Sequence, residues 1–192
     1  MNERKSTGQG EAGFARRRLL DTATRLFYEL GIHAVGIDRI IAEAGVAKAT
    51  FYKHFPSKND LVVAYLEEID RLGRSAVAAL PKQPPRKMVS AIMGRISEAV
   101  TAGGWRGCPF LNAAAEYPDP ASAVRQAIKA RRMWYHNSLE SLLAEDGDPA
   151  PRVTASLLVA LSDGLLEGAY LDDDENVPAL VREAVTRMLD RR

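Results

Sequence analysis

The stretch Ala34 to Leu61, AVGIDRIIAEAGVAKATFYKHFPSKNDL, constrains this chain more than any other part of it. It reads as two short helices around a glycine turn, with a third helix starting behind them. Ile37, Ile40, Ile41 and Ala44 fall at helical spacing and give the first helix an apolar side, and Gly45 stands where a helix needs a left-handed exit. The second helix, about Ala47 to Phe55, turns Phe51 and Phe55 inward at i,i+4. Lys48, Ala49, Thr50, Tyr52, Lys53 and His54 are left for its other faces. These side chains suit a DNA groove: Lys and His reach phosphates or guanine acceptors, Thr and Ala meet a thymine methyl, and a Tyr hydroxyl donates to phosphate. The alternative is a plain helical hairpin whose charged residues are merely solvated.

The segment resembles the helix-turn-helix of the TetR family of bacterial regulators at Ala44, Gly45, Val46, Lys48, Thr50, Phe51, Tyr52, His54, Phe55, Ser57, Lys58 and Leu61. An aromatic pair, then His-Phe, then Ser-Lys opening a long helix is far more specific than a bare helix-turn-helix pattern. The resemblance implies that Lys48, Ala49, Thr50, Tyr52 and His54 face the major groove, that Lys58 touches the DNA backbone, and that Ile37 and Asp38 open the supporting helix. It also implies a homodimer on a palindromic operator and a body that binds a small-molecule effector. Gly36 and Ala47 depart from the family pattern, which often has a hydroxyl residue there to cap a helix or bind phosphate. Asp38, anionic and near the expected DNA, is predicted to turn toward its own helix N-terminus rather than toward a base.

Charge agrees with a DNA-binding head on a neutral body. The whole chain is +1, but residues 1–60 hold 10 Lys and Arg against 7 Asp and Glu, while residues 61–192 hold 16 against 18. With 192 residues and 46% hydrophobic composition the chain can bury a substantial core. A single cysteine makes neither an internal disulfide nor a metal cluster, and no cofactor motif appears, so no metal or cofactor is expected. The absence of an apolar leader or a membrane-length apolar run points to a cytoplasmic protein without membrane association.

The pattern is all-α: a three-helix head followed by a larger helical bundle that supplies a four-helix dimer interface. Residues 1–13 are expected to be a flexible arm, 14–56 the DNA-binding domain, and 57–192 the ligand-binding and dimerisation domain. A brace helix is predicted over Phe14–Leu30 with Gly31 as its stop. Arg16, Arg17 and Arg18 near its start either meet phosphate or form a solvated face. Ser57, with Asp60 three residues on, caps a long helix to about Leu80. After Pro81, Pro84 and Pro85, helices are predicted over about 86–101, 109–117, 120–144, 151–171 and 178–190. In the last two, Leu157, Ala160, Leu161, Gly164, Leu165 and Gly168, and then Val181, Val185, Met188 and Leu189, form apolar stripes. Each stripe is either a dimer surface or monomer core; the resemblance favours the dimer, with recognition helices about 34 to 36 Å apart.

In the body, Cys108 precedes Pro109 at a predicted helix start, two residues from Arg106. The helix dipole and the cation would both favour a reactive thiolate there; the competing reading is a small packed residue. Trp105, Phe110, Asn112, Trp134 and Tyr135, with His136, are candidates for a mostly apolar effector site, each also readable as core or surface. The four acids Asp172 to Glu175 read as a solvated turn. The leading expectation is a homodimeric repressor released from its operator by a small-molecule or electrophile signal. The alternatives are an architectural DNA binder without a ligand, and an enzyme using Cys108 with His136, for which no supporting spacing exists.

Overall fold

The computed structural model describes residues 4–172 and 176–190, and among the described residues the regular structure consists of helices, with no strand. They are α1 (Arg4–Leu30), α2 (Ile37–Ala44), α3 (Lys48–His54), α4 (Lys58–Ala78), α5 (Pro85–Thr101), α6 (Pro109–Glu116), α7 (Ala123–Glu145), α8 (Pro151–Leu171) and α9 (Val177–Leu189). Proline starts α5, α6 and α8, where its missing N–H is not needed by the helix. α1 begins at Arg4 rather than near Phe14, so the helix runs through the stretch expected to be an arm. No proline between Arg4 and Gly13 breaks the helix, which runs through Gly8 and Gly10 against their propensity.

The chain packs as two compact units. The first comprises the residues up to Asp70 together with Asn112–Ile128; the second comprises Arg71–Leu111 and the residues from Lys129 onward. The division falls inside α4, α6 and α7.

In the first unit α1 packs on α2 and α3. Leu19, Ala23, Leu26 and Phe27 of α1, Ile40 of α2, Phe51 and Phe55 around α3, and Leu61, Tyr65 and Leu66 of α4 are all buried. α2 ends in a paired C-terminal cap: Gly45, at φ 61°, donates to Ala42 O at 3.1 Å while Val46 donates to Ile41 O at 3.3 Å. α4 begins on Ser57, whose Oγ accepts the Asp60 N–H at 3.2 Å and whose hydroxyl donates to the Asp60 carboxylate at 2.7 Å.

The second unit has one core, built from Val89, Ile92, Met93 and Ile96 of α5, Leu139 and Leu143 of α7, Ala155, Leu158, Val159 and Ala169 of α8, and Val177, Val181, Val185 and Leu189 of α9. This corrects the reading of the last helix. Val181 and Val185 are buried within the unit and Met188 packs partly buried on the same core, because α9 lies along α5. Val181 and Val185 fill this unit's own interior, while Met188 keeps part of its surface exposed. The α8 stripe behaves differently. Leu157 is 55% exposed, and Ala160 and Gly164 are exposed one and two turns on, while Leu161, Leu165 and Gly168 are half-buried beside them.

Candidate nucleic-acid interface

Phe51 and Phe55 anchor α3 from below, and this fixes which side chains it shows. Phe51 is fully buried, its ring 6.1 Å from Phe55 and 5.2 Å, edge-on, from Tyr52. With that face turned inward, Lys48, Ala49, Tyr52 and Lys53 are exposed and Thr50 and His54 half-buried, so the residues predicted to read DNA share the outward side of one short helix. Ile37, at the first position of α2, and Lys58, at the first position of α4, are half-buried. Burial lowers the proton affinity of Lys58, and the nearby Glu116 carboxylate raises it in part compensation. Gly36 and Ala47 occupy the N-cap positions of α2 and α3, and neither cap has a side-chain hydrogen bond, as their lack of a hydroxyl requires.

One expectation about charge is corrected. Asp38 does not cap its own helix: its Oδ1 accepts from Lys48 Nζ at 3.1 Å, joining the starts of α2 and α3. That hydrogen bond, with the carboxylate's charge behind it, raises the proton affinity of Lys48. Arg16, Arg17 and Arg18 fall in the middle of α1 and are exposed, as the solvated-face alternative expects, with partners inside the head. Arg17 pairs with Asp21 and with Glu68 at 2.8 Å, Arg16 lies 5.1 Å over the Phe55 ring, and Arg18 covers Phe14 and donates to Gly45 O at 3.4 Å. Arg25 and Arg39 both pair with Glu43, holding its carboxyl below the ordinary range.

Sequence reasoning missed a support beneath the head. Glu116, at the end of α6, accepts from the backbone N–H of Ile32 at 2.8 Å and of His33 at 2.5 Å, closing the turn after α1. Next to it, Tyr117 lies 5.1 Å from the His33 ring and donates to Asn59 Oδ1 at 3.0 Å. No local pattern announces a bond between residues 83 apart in the chain.

In the second unit most of the body candidates form a belt of rings and charges. Trp134 has Arg74 at 4.7 Å and Arg131 at 4.9 Å from its ring, and Arg131 also lies over Tyr135 and Phe110. Trp105 Nε1 donates to Leu166 O, and the Tyr135 hydroxyl meets Ser162 Oγ at 2.9 Å. Asn112 falls in the first unit. His136 contacts Ser156 and Glu140 on the helix surface. Of the acidic run, residues 173–175 lie outside the described residues. Among the described residues no group of potential ligands could hold a metal ion, and no helix is long and apolar enough to cross a membrane.

The surroundings of Cys108 correct the thiolate reading. The thiol sits at the start of α6 with the Phe110 and Leu111 N–H groups favouring the anion, as the position predicts. Burial nevertheless pushes its pKa up, and the carboxylates of Asp163 and Glu167 push it the same way. Glu167 is fixed there by accepting the Cys108 N–H at 2.8 Å, and Asp163 by a bidentate pair with Arg132. Packing and two acids therefore outweigh the helix start.

Comparison with known proteins agrees with this geometry. Residues 19–65 match the sequence profile of the bacterial regulatory proteins of the tetR family. The crystal structure of a TetR-family transcriptional regulator from Streptomyces coelicolor is similar over 93% of this chain and 95% of that one, with 44% identity and a TM-score of 0.88. The transcriptional regulator LmrA of Bacillus subtilis is 26% identical over 163 residues, 83% of this chain and 86% of LmrA. The transcriptional activator FasR of Mycolicibacterium smegmatis is 43% identical over 121 residues, 60% of this chain and 54% of FasR.

Proposed function

The chain belongs to the TetR family of DNA-binding transcriptional regulators, and from that premise we propose that it is a homodimeric, cytoplasmic repressor that leaves a palindromic operator when a small molecule occupies its body. The observation that carries this reading is the outward row of Lys48, Ala49, Tyr52 and Lys53 on a helix anchored by Phe51 and Phe55. In this reading α3 enters the major groove, Ala49, Thr50 and Tyr52 meet base edges, and Lys53, His54 and Lys58 approach phosphates. The exposed α8 stripe, with Ala160 and Gly164 allowing close helix approach, supports pairing with a second copy.

The effector acts through differential affinity for the DNA-competent and incompetent states. A coupling of about 1 to 3 kcal/mol changes operator affinity roughly 5- to 150-fold. The ring and guanidinium belt of Trp134, Tyr135, Phe110 and Arg131, with Trp105 nearby in sequence to Cys108, is the region proposed to sense it. The protonated, packed thiol argues for a reversibly bound small molecule over an electrophile as the signal.

The test is selection of bound duplexes from a random pool, followed by titration of the recovered site at several salt concentrations. A palindrome bound tightly by wild type and poorly by a Tyr52→Ala, Lys53→Ala variant is the expected result. No enrichment, or binding indifferent to the variant, would refute the placement of α3 in the groove.

A further inference from the structure

Lys48 and Asp38 sit where a cation is most useful to a DNA reader and an anion least welcome. Lys48 opens the recognition helix, Asp38 lies in the first turn of the supporting helix, and their side chains are 64% and 83% exposed with Nζ and Oδ1 3.1 Å apart. The carboxylate reaches across to a different helix, ten positions along the chain.

This pairing changes how Lys48 can contribute to binding. An unencumbered lysine at a DNA surface attracts any phosphate, whatever the sequence, and each such contact steepens the salt dependence by about 0.9 in log–log slope. A lysine already bonded to a carboxylate must give up that bond first, and the stranded carboxylate then faces the same phosphates. The penalty applies to every duplex. It is offset only where the sequence presents a base edge that rewards the rearranged pair, such as a guanine acceptor for Lys48 or a cytosine amino group for Asp38. Specificity is a difference of affinities, and lowering the indiscriminate member of that difference raises it.

We propose that Asp38 is a specificity-determining residue of the DNA interface, which restrains Lys48 from phosphate and so suppresses binding to non-operator DNA. The inference rests on the DNA-binding reading and adds to it a residue with a restraining role.

The experiment uses the full chain as wild type, Asp38→Asn, Asp38→Ser, Lys48→Ala and the double variant Asp38→Asn with Lys48→Ala. Binding to a duplex of random sequence and to the selected operator is followed by fluorescence anisotropy across a salt series. Both Asp38 variants should bind random duplex roughly three- to tenfold more tightly, with a salt slope steeper by about 0.9. The operator should gain less, so that the ratio of operator to random affinity falls, and the gain should vanish when Lys48 is alanine. An unchanged affinity and slope for random duplex would overturn the proposal. So would an equal gain with and without Lys48, which would make Asp38 a diffuse negative charge, or a loss confined to the operator, which would make it a plain base reader. Wild type that binds neither duplex would refute the DNA-binding reading itself, an outcome distinct from all of these.

Discussion

At the scale of single residues, the two positions with the sharpest constraints are Gly45 and Cys108. Gly45 holds a left-handed backbone at φ 61°, and a Cβ built there would stand 2.6 Å from a guanidinium nitrogen of Arg18. The second problem is soluble, because the end of an arginine can move. The first is not, because the left-handed conformation costs a residue with a Cβ about 1 to 2 kcal/mol. Gly45→Ala should therefore lower stability in urea by about that amount, and adding Arg18→Ala should recover little of it. Full recovery would mean that the clash, not the backbone, is what matters. For Cys108, burial and the acids around it predict slow alkylation by iodoacetamide in the folded protein, with a rate–pH midpoint above that of an ordinary thiol. Because the folded pKa is raised, the stability this thiol contributes is complete below the unfolded thiol's pKa and is lost as pH rises through the folded one. A midpoint below the ordinary value would restore the reactive-thiolate reading.

Among the elements, α2, α3 and α8 were legible from the sequence because each has an apolar period of three or four residues bounded by a definite signal: Gly45, Pro56 or Pro151. The start of α1 was not, since Gly8, Gly10 and Gly13 argue against a helix there and no apolar period marks one. Nor was the inward fate of Val181 and Val185, because periodicity reveals an apolar face without revealing what covers it. The candidate site was legible in part: the exposure of Lys48, Ala49, Tyr52 and Lys53 follows from the Phe51 and Phe55 spacing. The partners of its charges, Asp38 for Lys48 and Glu68 for Arg17, come from other helices and leave no local pattern. Glu116 is the extreme case, and it has a testable consequence for α6. Its carboxylate is the acceptor for the Ile32 and His33 N–H groups, and hydrogen bonds to a charged acceptor are worth about 1.5 to 3 kcal/mol. Glu116→Ala should speed amide exchange at Ile32 and His33, with Glu116→Gln intermediate because one acceptor oxygen remains. Unchanged protection at both amides would show that the turn holds without α6.

For the whole molecule, the decisive question is which apolar face would meet a second copy in the proposed dimer, and the two terminal helices give opposite answers. Along α8, Leu157 and Leu171, the latter 73% exposed, flank the small residues Ala160 and Gly164, whereas Val181 and Val185 of α9 are already consumed by the core. The two helices therefore predict separable defects. Leu157→Arg places a charge where a partner helix would press, so it should leave the fold and its thermal unfolding intact while sedimentation shows a monomer. Val185→Ala should do the reverse, costing about 1 to 3 kcal/mol of stability through a core cavity without changing the sedimentation of the folded fraction. DNA binding then links the two scales. A dimer engages both half-sites with the second contact made intramolecularly, so losing the pairing should weaken binding to a full palindrome by about a hundredfold or more, while binding to an isolated half-site stays nearly constant. If Leu157→Arg remained dimeric and bound the palindrome like wild type, the exposed α8 stripe would not be the pairing surface, and the geometry that sets half-site spacing would have to be sought elsewhere on the body.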